Sequence, residues 1–426
     1  MAPPRVVIVG AGFAGYQAAK ALSRRMRDSA EVVVVNPTDY MLYLPLLPEV
    51  AAGTLDPRTV AVSLTDKLPG VKLALGSARR INPAAHTLVY RDPEDREWEI
   101  GYDRLLLTVG STHRPLPIEG IAEHGHGVRS LAEALYLRDH VVSQLELAAA
   151  DDDAQERRAR CTIVVVGAGY TGTEIAAAGQ LMTTQLARDH RRLRDTPVRW
   201  LLLDAAPQVL PGMGDRMSAA ATRILSRRGV EIRTGTSVRR AGAEGVWLTD
   251  DTFVPTRTIV WAVGVRPDPL VAGLGLELTQ QGRIKVDEYL NVPGHPDIYA
   301  CGDAAAAPDL TRPGGVTAMN GQHAERQGTR AGLNIAASLG LGVAKPYRHH
   351  DLGFVVDMAG WQAVANPLGI PLSGIAAKAV TAAYHLYAVP ANRRRIAAAW
   401  LVNALSPRQS VQLGLAQGSS IPLNPS

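Results

Sequence analysis

Two short apolar runs in the chain each lead directly into a glycine-rich loop. Residues 5–9 precede a loop with Gly10, Gly12 and Gly15, and residues 161–166 precede a loop with Gly167, Gly169 and Gly172. In such a loop the first glycine allows a tight turn, the second lets the backbone approach a pyrophosphate, and the third lets the following helix pack closely. The N–H groups and the dipole at the start of that helix face the phosphates. The repeated pattern therefore predicts two dinucleotide-binding units.

A second apolar strand in each half ends at a polar residue, where adenosine ribose is usually recognised. Residues 31–35 end at Asn36, and residues 199–203 end at Asp204. Asp or Glu at this position binds the ribose 2′-hydroxyl, and Asn can still form that hydrogen bond without the charge. Asp204 attracts the free 2′-hydroxyl of NAD and repels the 2′-phosphate of NADP, which predicts a preference for NADH. The gap from Gly172 to Asp204 is longer than usual, and a basic helical stretch accounts for the extra length.

Another pair of strands runs into glycines and extends the internal repeat. Residues 105–107 lead to Thr108 and Gly110, and residues 258–261 lead to Gly264 in the second half. A strand that ends in this way brings its backbone close to a ligand. The repeat is therefore longer than the two glycine loops.

Three stretches complete the prediction of elements. Residues 297–301 form a strand that places Gly302 and Asp303 at its end, and a helix is predicted from Gly321 to about residue 339. Residues 43–57 are rich in Pro and Gly, which predicts a loop with one apolar turn. A packed surface loop and a functional segment both fit that composition.

Composition excludes several classes of protein. With 426 residues, 46% of them hydrophobic, the chain can bury a large core in two or more domains. Its two cysteines lie far apart and lack a CxxC spacing, so neither a disulfide framework nor a dithiol redox motif is expected. No apolar run reaches the ~18 residues needed to span a bilayer, and no signal peptide precedes the first strand. The compartment is expected to be reducing, and neither a metal nor a nucleic-acid partner is predicted.

The charge of the chain is concentrated at its C-terminal end. The formal net charge is +5, and after Asp357 the sequence has no acidic residue and five basic ones, namely Lys378, Arg393, Arg394, Arg395 and Arg408. Two helices separated by Pro390 are predicted here, over 373–389 and 392–405. Asn392 is expected to cap the second helix, and Ile396, Ala399, Trp400 and Leu405 to form its apolar face. Such a basic segment suits an anionic membrane surface, and the alternative is a helix that packs back on the protein or on a dimer partner.

The order of these motifs resembles the flavoproteins that bind two dinucleotides, and within them the type II NADH dehydrogenases, also called NADH:quinone oxidoreductases. The resemblance covers nearly the whole chain. It is carried by Pro45-Leu46-Leu47 with Ala51 and Gly53, Gly172-x-Glu174, Trp261-Ala262-x-Gly264-Val265, Gln322-x-Ala324 with Gly328, and Tyr384-His385-Leu386-Tyr387.

The resemblance implies an α/β fold of two Rossmann-like, three-layer domains, with an NADH-binding domain inserted into an FAD-binding domain. The expected boundaries are 1–120 and 285–345 for the FAD-binding domain, 121–284 for the NADH-binding domain, and 346–426 for a C-terminal helical extension. Hydride would pass from NADH to FAD, and two electrons would then pass to a quinone. The protein would lie on the cytoplasmic face of the cell membrane as a peripheral enzyme.

The resemblance also implies the site residues. Glu174 would lie near the nicotinamide and take a proton-linked role, although an acid early in a helix also fits a purely dipolar role. Gln322 would lie at the quinone side of the flavin, and Asp303 would contact the ribityl and pyrophosphate part of FAD. The expected FAD set is Gly10, Gly12, Gly15, Asn36, Pro45, Thr108, Gly110, Gly302 and Asp303, and the expected NADH set is Gly167, Gly169, Gly172, Glu174, Asp204 and Gly264. His323, on the same helix as Gln322, is expected to be a packing or hydrogen-bonding residue.

The chain departs from the family pattern at two positions on the acceptor side. The second Gln of the pattern Ala-Gln-x-Ala-x-Gln is Arg326 here, and a Lys often found after the following strand is expected to be replaced near Trp361. These departures leave two alternatives open, a soluble NADH-dependent flavin reductase that serves a biosynthetic pathway or a ferredoxin, and a non-catalytic NADH sensor. A soluble disulfide or peroxide reductase is disfavoured because Tyr40, Met41, Leu42 and Tyr43 stand where a redox cysteine is required, and a sulfide:quinone reductase is disfavoured because it needs paired cysteines.

Overall fold

The computed structural model describes residues 3–114, 116–406, 410–418, 421 and 423. Its strands are β1 (Arg5–Val9), β2 (Glu31–Asn36), β3 (Tyr40–Leu42), β4 (Ala61–Ser63), β5 (Val71–Leu75), β6 (Ser77–Asn82), β7 (Thr87–Arg91), β8 (Glu97–Gly101), β9 (Arg104–Leu107), β10 (Ser111–His113), β11 (Gly125–His126), β12 (Thr162–Val166), β13 (Arg199–Asp204), β14 (Val230–Thr234), β15 (Val238–Gly242), β16 (Gly245–Leu248), β17 (Phe253–Pro255), β18 (Thr258–Trp261), β19 (Val265–Pro267), β20 (Ile284–Lys285), β21 (Asn291–Val292), β22 (His295–Ala300), β23 (Ala305–Ala306), β24 (Val355–Asp357), β25 (Ala363–Ala365) and β26 (Leu372–Ser373). Its α-helices are α1 (Phe13–Met26), α2 (Leu47–Ala51), α3 (Pro57–Val60), α4 (Leu64–Lys67), α5 (Ile121–His124), α6 (Leu131–Ala150), α7 (Ala154–Arg160), α8 (Tyr170–Asp189), α9 (Asp215–Arg227), α10 (Gly321–Ser338), α11 (Ile375–Ala388) and α12 (Arg393–Leu405).

The chain divides into two compact units, each built from three segments. The first unit comprises residues 1–42, 61–112 and 265–350, and the second comprises 43–60, 113–264 and 351–426. Residues 113–264 are thus inserted into the chain of the first unit. These junctions differ from the boundaries at 120, 284 and 345 that the sequence suggested.

Two segments group differently from the sequence-based domain boundaries, for a packing reason. The segment 43–60 belongs to the second unit because α2 packs on α6 and α8. The C-terminal segment belongs there too, because its strands β24 and β25 contact α8 and α9. Neither contact has a local sequence signature.

The first unit is built on a sheet with strand order β21-β22-β9-β1-β2-β5. Its strands run parallel except for β21. The central strand β1 is apolar because it is covered on both faces, and Val6, Val7 and Ile8 are fully buried. Helix α1 packs along α10, and both contact the sheet. The antiparallel sheet β6-β7-β8 and the two-stranded sheets β3-β4 and β20-β23 belong to the same unit.

The second unit repeats the arrangement with the parallel sheet β11-β18-β12-β13-β14. Its core holds two large, fully buried side chains, Trp200 and Trp261. An antiparallel sheet, β15-β16-β17, and a second one, β24-β25-β26, belong to the same unit. The two parallel sheets confirm the predicted α/β fold with two Rossmann-like domains.

The segment 43–57 is more regular and more buried than its Pro and Gly content predicted. It forms a 3₁₀ turn over Leu44–Leu46, and then α2 and the start of α3. Tyr43, Leu46 and Leu47 are each about 1% exposed, so this is core rather than a surface loop. Pro45 and Pro48 stand in the first turns of these short helices, where a missing N–H costs nothing.

The two predicted C-terminal helices are present as α11 and α12 on either side of Pro390. The prediction for Asn392 is wrong: it stands at the N-cap position, but with φ +63° its side chain makes no capping bond, and its Nδ2 donates to the carbonyls of Arg58 and Thr59. Arg408 lies outside the described residues. Among the described helices, none combines the length and the apolar character needed to cross a bilayer.

Candidate active site

The first glycine loop leaves one open position between two crowded ones. A Cβ atom at Gly10, where φ is +93°, would lie 2.6 Å from the carbonyl oxygen of Thr108, and a Cβ at Gly15 would lie 1.8 Å from the carbonyl oxygen of Gly10. At Gly12 a Cβ would meet nothing within 4 Å. The hydroxyl of Thr108 lies 2.8 Å from the carbonyl oxygens of both Val9 and Gly10, which ties the strand end to the loop. The backbone at Gly12 is therefore exposed to a ligand.

The second glycine loop has the same geometry. A Cβ atom at Gly167, where φ is +102°, would lie 2.5 Å from the carbonyl oxygen of Ala262, and one at Gly172 would lie 1.8 Å from the carbonyl oxygen of Gly167. Gly169 has nothing within 4 Å of its Cβ position. Helix α1 begins directly after Gly12, and helix α8 begins directly after Gly169. In each unit a helix N-terminus therefore adjoins the open glycine of its own loop.

Asn36 and Asp204 each hold their own glycine loop in place. The Oδ1 atom of Asn36 accepts from the backbone N–H of Ala11 at 2.8 Å. In the second unit, Oδ2 of Asp204 accepts from the N–H of Ala168 at 2.6 Å, and its Oδ1 accepts from Ala206 at 2.7 Å. A role in stabilising the loop thus accompanies the predicted role in binding ribose.

Gly302 and Asp303 sit in a polar network that sequence patterns did not reveal. The N–H of Gly302 donates to Oε1 of Gln327 at 2.8 Å, and Nε2 of Gln327 donates to Oγ1 of Thr317 at 2.9 Å. Ser111 donates to Oδ2 of Asp303 at 2.6 Å. Gln327 is fully buried on α10, so this helix holds the loop that carries Asp303.

The two strand-end glycines, Gly110 and Gly264, have open backbone. Their φ angles are +77° and +59°, and neither has an atom within 4 Å of its Cβ position. Both sites therefore offer room for a ligand next to the backbone, as the sequence suggested for each half.

Glu174 is a half-buried residue whose carboxyl group is largely shielded from solvent. It is the fifth residue of α8 rather than part of its first turn, so the dipolar role considered for it is wrong. Its Oε1 accepts from the backbone N–H of Asp357 at 2.9 Å. Burial raises the pKa of Glu174 well above its usual value, and the nearby carboxylates of Asp357 and Glu49 raise it further, against the opposing effects of the Asp357 hydrogen bond and of Lys378. The surroundings therefore favour the protonated form of this group.

A lysine of the first predicted C-terminal helix lies near this carboxyl group, a proximity that the sequence patterns did not indicate. Nζ of Lys378, on α11, lies 2.5 Å from Oδ2 of Asp357, and both side chains are mostly buried. Trp361, where a lysine was expected to be replaced, is 65% exposed in the turn between β24 and β25. The sequence indicated only that Lys378 belongs to the basic C-terminal segment, not that it lies near Glu174.

Two further groups of the same unit lie close by. The hydroxyl of Tyr43 lies 3.2 Å from Nδ1 of His385, another buried residue of α11. Glu49, on α2, accepts from Nε1 of Trp400 at 2.7 Å. The segment with Pro45 is thus tied to both C-terminal helices, and Pro45 belongs to the second unit while the other expected FAD residues belong to the first.

Gln322 lies on α10 beside the departure at Arg326. Nη2 of Arg326 donates to Oε1 of Gln322 at 3.3 Å, and Nη1 donates to the carbonyl of His350. Nδ1 of His323 lies 2.9 Å from the hydroxyl of Tyr347, and burial lowers the pKa of His323 to about 4. His323 is therefore a neutral, hydrogen-bonded packing residue, as predicted.

Comparisons with known proteins agree with this arrangement. Residues 4–328 match the model of the pyridine nucleotide-disulphide oxidoreductase family. The type II NADH:quinone oxidoreductase Ndh of Mycobacterium tuberculosis is 30% identical, over 96% of this chain and 90% of the relative. The chain belongs to the type II NADH:quinone oxidoreductases.

Two further proteins are similar to this chain over most of its length. An internal alternative NAD(P)H-ubiquinone oxidoreductase from mitochondria of Solanum tuberosum is 29% identical, over 92% of this chain and 84% of the relative. The solved structure of NDH2 from Plasmodium falciparum in complex with NADH has a TM-score of 0.87 with 15% identity, and covers 96% of this chain and 99% of that chain. At that identity the likeness bears on the fold alone.

The residues present fit the cofactors of a type II NADH:quinone oxidoreductase. Each unit has a helix N-terminus behind a glycine whose Cβ position is empty, as a pyrophosphate requires. The predicted family, the oxidoreductase activity and the cofactors FAD and NADH are confirmed by this membership. It also excludes the non-catalytic NADH sensor.

Proposed function

We propose that this chain oxidises NADH and reduces a quinone, with the first unit binding FAD and the second binding NADH. The observation that carries the proposal is Glu174, whose pKa is raised by desolvation, with its neighbouring Lys378–Asp357 ion pair. Quinone reduction consumes protons, and this cluster holds them in the unit assigned to NADH. A reductase that serves a ferredoxin transfers electrons alone and has no need of such a group.

The glycine loops would hold the two dinucleotides. Bound FAD supplies the chemistry of accepting a hydride from NADH and releasing electrons to the acceptor. The N–H groups at the starts of α1 and α8 would bind the pyrophosphates, with Gly12 and Gly169 as the points of closest approach. Asp303 would bind the ribityl chain and Asp204 the adenosine ribose of NADH.

Glu174 would keep the nicotinamide region dry and hold a proton for the acceptor. Because the carboxyl group is neutral when protonated, it can be buried without an ionic partner. Once it has given its proton away, its charge lies close to Lys378, which lowers the cost of the carboxylate. The cluster can therefore change its protonation state without large rearrangement.

Gln322 would bind the acceptor on the quinone side of the flavin. Because Arg326 donates to its Oε1, the amide is held in one orientation, with Nε2 turned away from the arginine. The same contact adds a positive charge near the acceptor where the family pattern has a neutral Gln. We expect this charge to affect which quinone is preferred.

The C-terminal helices would dock on an anionic membrane from the cytoplasmic side. One face of α12 packs inward, where Ile396 is buried, Trp400 bonds Glu49 and Asn403 bonds the carbonyl of Thr54. Leu405, expected on that face, is instead 77% exposed.

The opposite face of α12 carries basic and apolar side chains together. Arg394, Leu401 and Leu405 share this face at helical spacing, and Leu401 is 61% exposed. Exposed leucines next to arginines suit the interface of an anionic bilayer, where each basic residue contributes about 1 kcal/mol. A quinone dissolved in lipid could then reach the enzyme without its tail entering water.

The test is steady-state NADH oxidation with a panel of acceptors: soluble ubiquinone and menaquinone analogues, oxygen, ferricyanide and a ferredoxin. We expect the highest kcat/KM with a quinone. A ferredoxin that exceeds every quinone would overturn the proposal in favour of the soluble reductase.

A further inference from the structure

Helix α11 carries a stripe of polar side chains on an otherwise apolar helix. Lys378, Thr381 and His385 follow one another at spacings of three and four residues, which places them on one face. Thr381 is fully buried and His385 is 4% exposed, while Lys378 keeps 20% of its side chain accessible. The stripe therefore runs from the partly accessible Lys378 into the interior.

Two polar atoms of this stripe are buried without a partner. Among the described residues, neither Oγ1 of Thr381 nor Nε2 of His385 has a hydrogen-bonding group. An unsatisfied buried donor or acceptor costs about 1–3 kcal/mol. Such groups in proteins are generally satisfied by buried water when the site is polar. The two side chains are one helical turn apart, close enough for a single water to bond both.

We propose that Thr381 and His385 bind a buried water molecule that completes a proton path along α11 from Lys378 to Tyr43. The inward end of the path is already formed, because Nδ1 of His385 lies 3.2 Å from the hydroxyl of Tyr43. Tyr43 begins the segment with Pro45 that the family resemblance assigns to the flavin.

The charges around the stripe suit such a path. Burial lowers the pKa of His385 to about 4, opposed by Asp357 and assisted by Lys378, so its imidazole is neutral at pH 7. A neutral imidazole has one donor and one acceptor nitrogen, and so can take a proton at Nε2 and release one at Nδ1. The titratable groups that surround the stripe are Tyr384 of α11, Asp357 of β24, Tyr170 and Glu174 of α8, Tyr43, and Glu49 of α2.

The path would supply the second proton of the reaction. Reduction of a quinone to a quinol takes two electrons and two protons. The hydride of NADH carries one proton with its two electrons, and when the electrons pass on to the quinone that proton returns to solvent. Both protons of the quinol then come from the protein, and the proposed function, on which this inference rests, gives Glu174 one of them to donate. The second proton would pass from the Tyr43 hydroxyl to the quinone. His385 would then return a proton to Tyr43, and the water would return one to His385. The Lys378 ammonium group would return a proton to the water and would itself be protonated again by solvent. Electrons come only from NADH through the flavin, so the path moves protons alone.

The test compares Thr381→Val, Thr381→Ser and His385→Gln with the wild type. Stopped-flow measurement follows reoxidation of the flavin by a soluble quinone from pH 6 to 9 in H₂O and D₂O, with flavin reduction by NADH as the internal reference. We expect reoxidation to slow about tenfold in Thr381→Val and His385→Gln, with a larger solvent isotope effect, and to recover in Thr381→Ser. The Tm of Thr381→Val should fall, because the bound water loses a partner.

Thr183 provides a matched control. It is also a fully buried threonine in a helix of the same unit, but its hydroxyl donates to the carbonyl of Gly179 and accepts from Nε1 of Trp200. Thr183→Val should lower the Tm without slowing reoxidation. The inference is overturned if Thr381→Val reoxidises at the wild-type rate with an unchanged or higher Tm. If the wild type fails to use any quinone, the proposed function fails, and the Tm comparison still decides whether the water is bound.

Discussion

At the scale of single residues, burial decides the chemistry of Glu174. The same carboxyl group at the surface would be ionised at neutral pH, whereas here desolvation raises its pKa well above the usual value and favours the protonated form. The Lys378–Asp357 pair lies nearby, so the Lys378 ammonium group can stabilise the Glu174 carboxylate that forms when the proton leaves. A proton donor is thus made from an ordinary glutamate by its surroundings.

Glu174→Gln should reduce quinone-dependent kcat by about 100-fold, because an amide cannot donate that proton. It should also change the pH dependence of stability. The pKa of Glu174 is raised in the folded state, so its contribution is complete below the unfolded pKa and is lost as pH rises through the folded pKa. The Tm of the variant relative to the wild type should therefore rise as the pH increases above the unfolded pKa of about 4.3. The exposed Glu123 provides the control, and a Tm difference that is flat with pH for Glu174→Gln would contradict the assignment.

Asp204→Asn should narrow the preference for NADH over NADPH by about tenfold, because the carboxylate that repels a 2′-phosphate is gone. The loop should survive, since Asn36 accepts the equivalent backbone N–H in the first unit through its amide oxygen. Asp204→Ala removes that acceptor as well and should lower the Tm in addition. The measurement is kcat/KM for both nucleotides, and equal values in the wild type would remove the argument.

At the scale of elements, each strand–loop–helix unit combines two glycines that the fold needs with one that the ligand needs. Gly15 and Gly172 touch carbonyl oxygens of their own loops, so any side chain there disrupts the loop. Gly12 and Gly169 have extended backbone with φ of −67° and −73°, which alanine adopts without strain. Only the ligand would meet a methyl group at these two positions.

Gly12→Ala and Gly169→Ala should therefore fold normally and separate the two cofactors. We expect Gly12→Ala to weaken FAD binding and Gly169→Ala to raise the KM for NADH while FAD stays bound. An added methyl group costs about 1–3 kcal/mol where it overpacks, which is about 5- to 150-fold in affinity. FAD content per protein and NADH titrations measure both effects. Loss of FAD from the Gly169 variant alone would reverse the assignment of the two units.

The outer face of α12 can be tested without disturbing its packed face. Leu401→Glu with Leu405→Glu should abolish co-sedimentation with anionic vesicles, because both apolar contacts and favourable charge are lost. Val343→Glu, at a side chain 80% exposed in the first unit, is the control for added charge. Binding of the double variant at wild-type level, or binding that salt does not weaken, would contradict membrane docking by this helix.

At the scale of the whole molecule, the C-terminal segment packs into the second unit and forms part of its core. Leu423 is 2% exposed and belongs to the same hydrophobic core as Ile121, Val164 and Trp261. Oδ2 of Asp139 accepts from the backbone N–H groups of Leu413 and Gly414. Removing the C-terminal residues would therefore open the core, so truncation is a poor test of membrane binding.

Leu423→Ala should cost about 2–5 kcal/mol of the free energy of unfolding, as is usual for a leucine removed from a packed core. Leu415→Ala, in the same segment but 68% exposed, should change it by less than about 0.5 kcal/mol. Thermal or denaturant unfolding of the two variants measures the difference. Equal stability would show that the terminal residues do not close this core.

Short-range physics made the paired dinucleotide folds and the family predictable from the chain alone. A strand, a glycine turn and a helix start depend on residues close in sequence. The two dinucleotide-binding loops, Gly10 to Gly15 and Gly167 to Gly172, could therefore be predicted without a structure. Asn36 and Asp204 follow from the same logic, because each ends the next strand of its sheet. The grouping of residues 43–60 with the inserted unit had no such local signal.

Only the tertiary structure decided which distant groups surround Glu174. Asp357 and Lys378 lie about 180 and 200 residues further along the chain, and Tyr43 meets His385 across 342 positions. Local patterns carry no record of such contacts, because they arise when α11 packs on its sheet and α2 packs on α8. The same packing turned Leu405 outward and Trp400 inward on α12. The sequence by itself determined the two glycine loops, whereas packing between remote segments determined the surroundings of Glu174 and so its protonation chemistry.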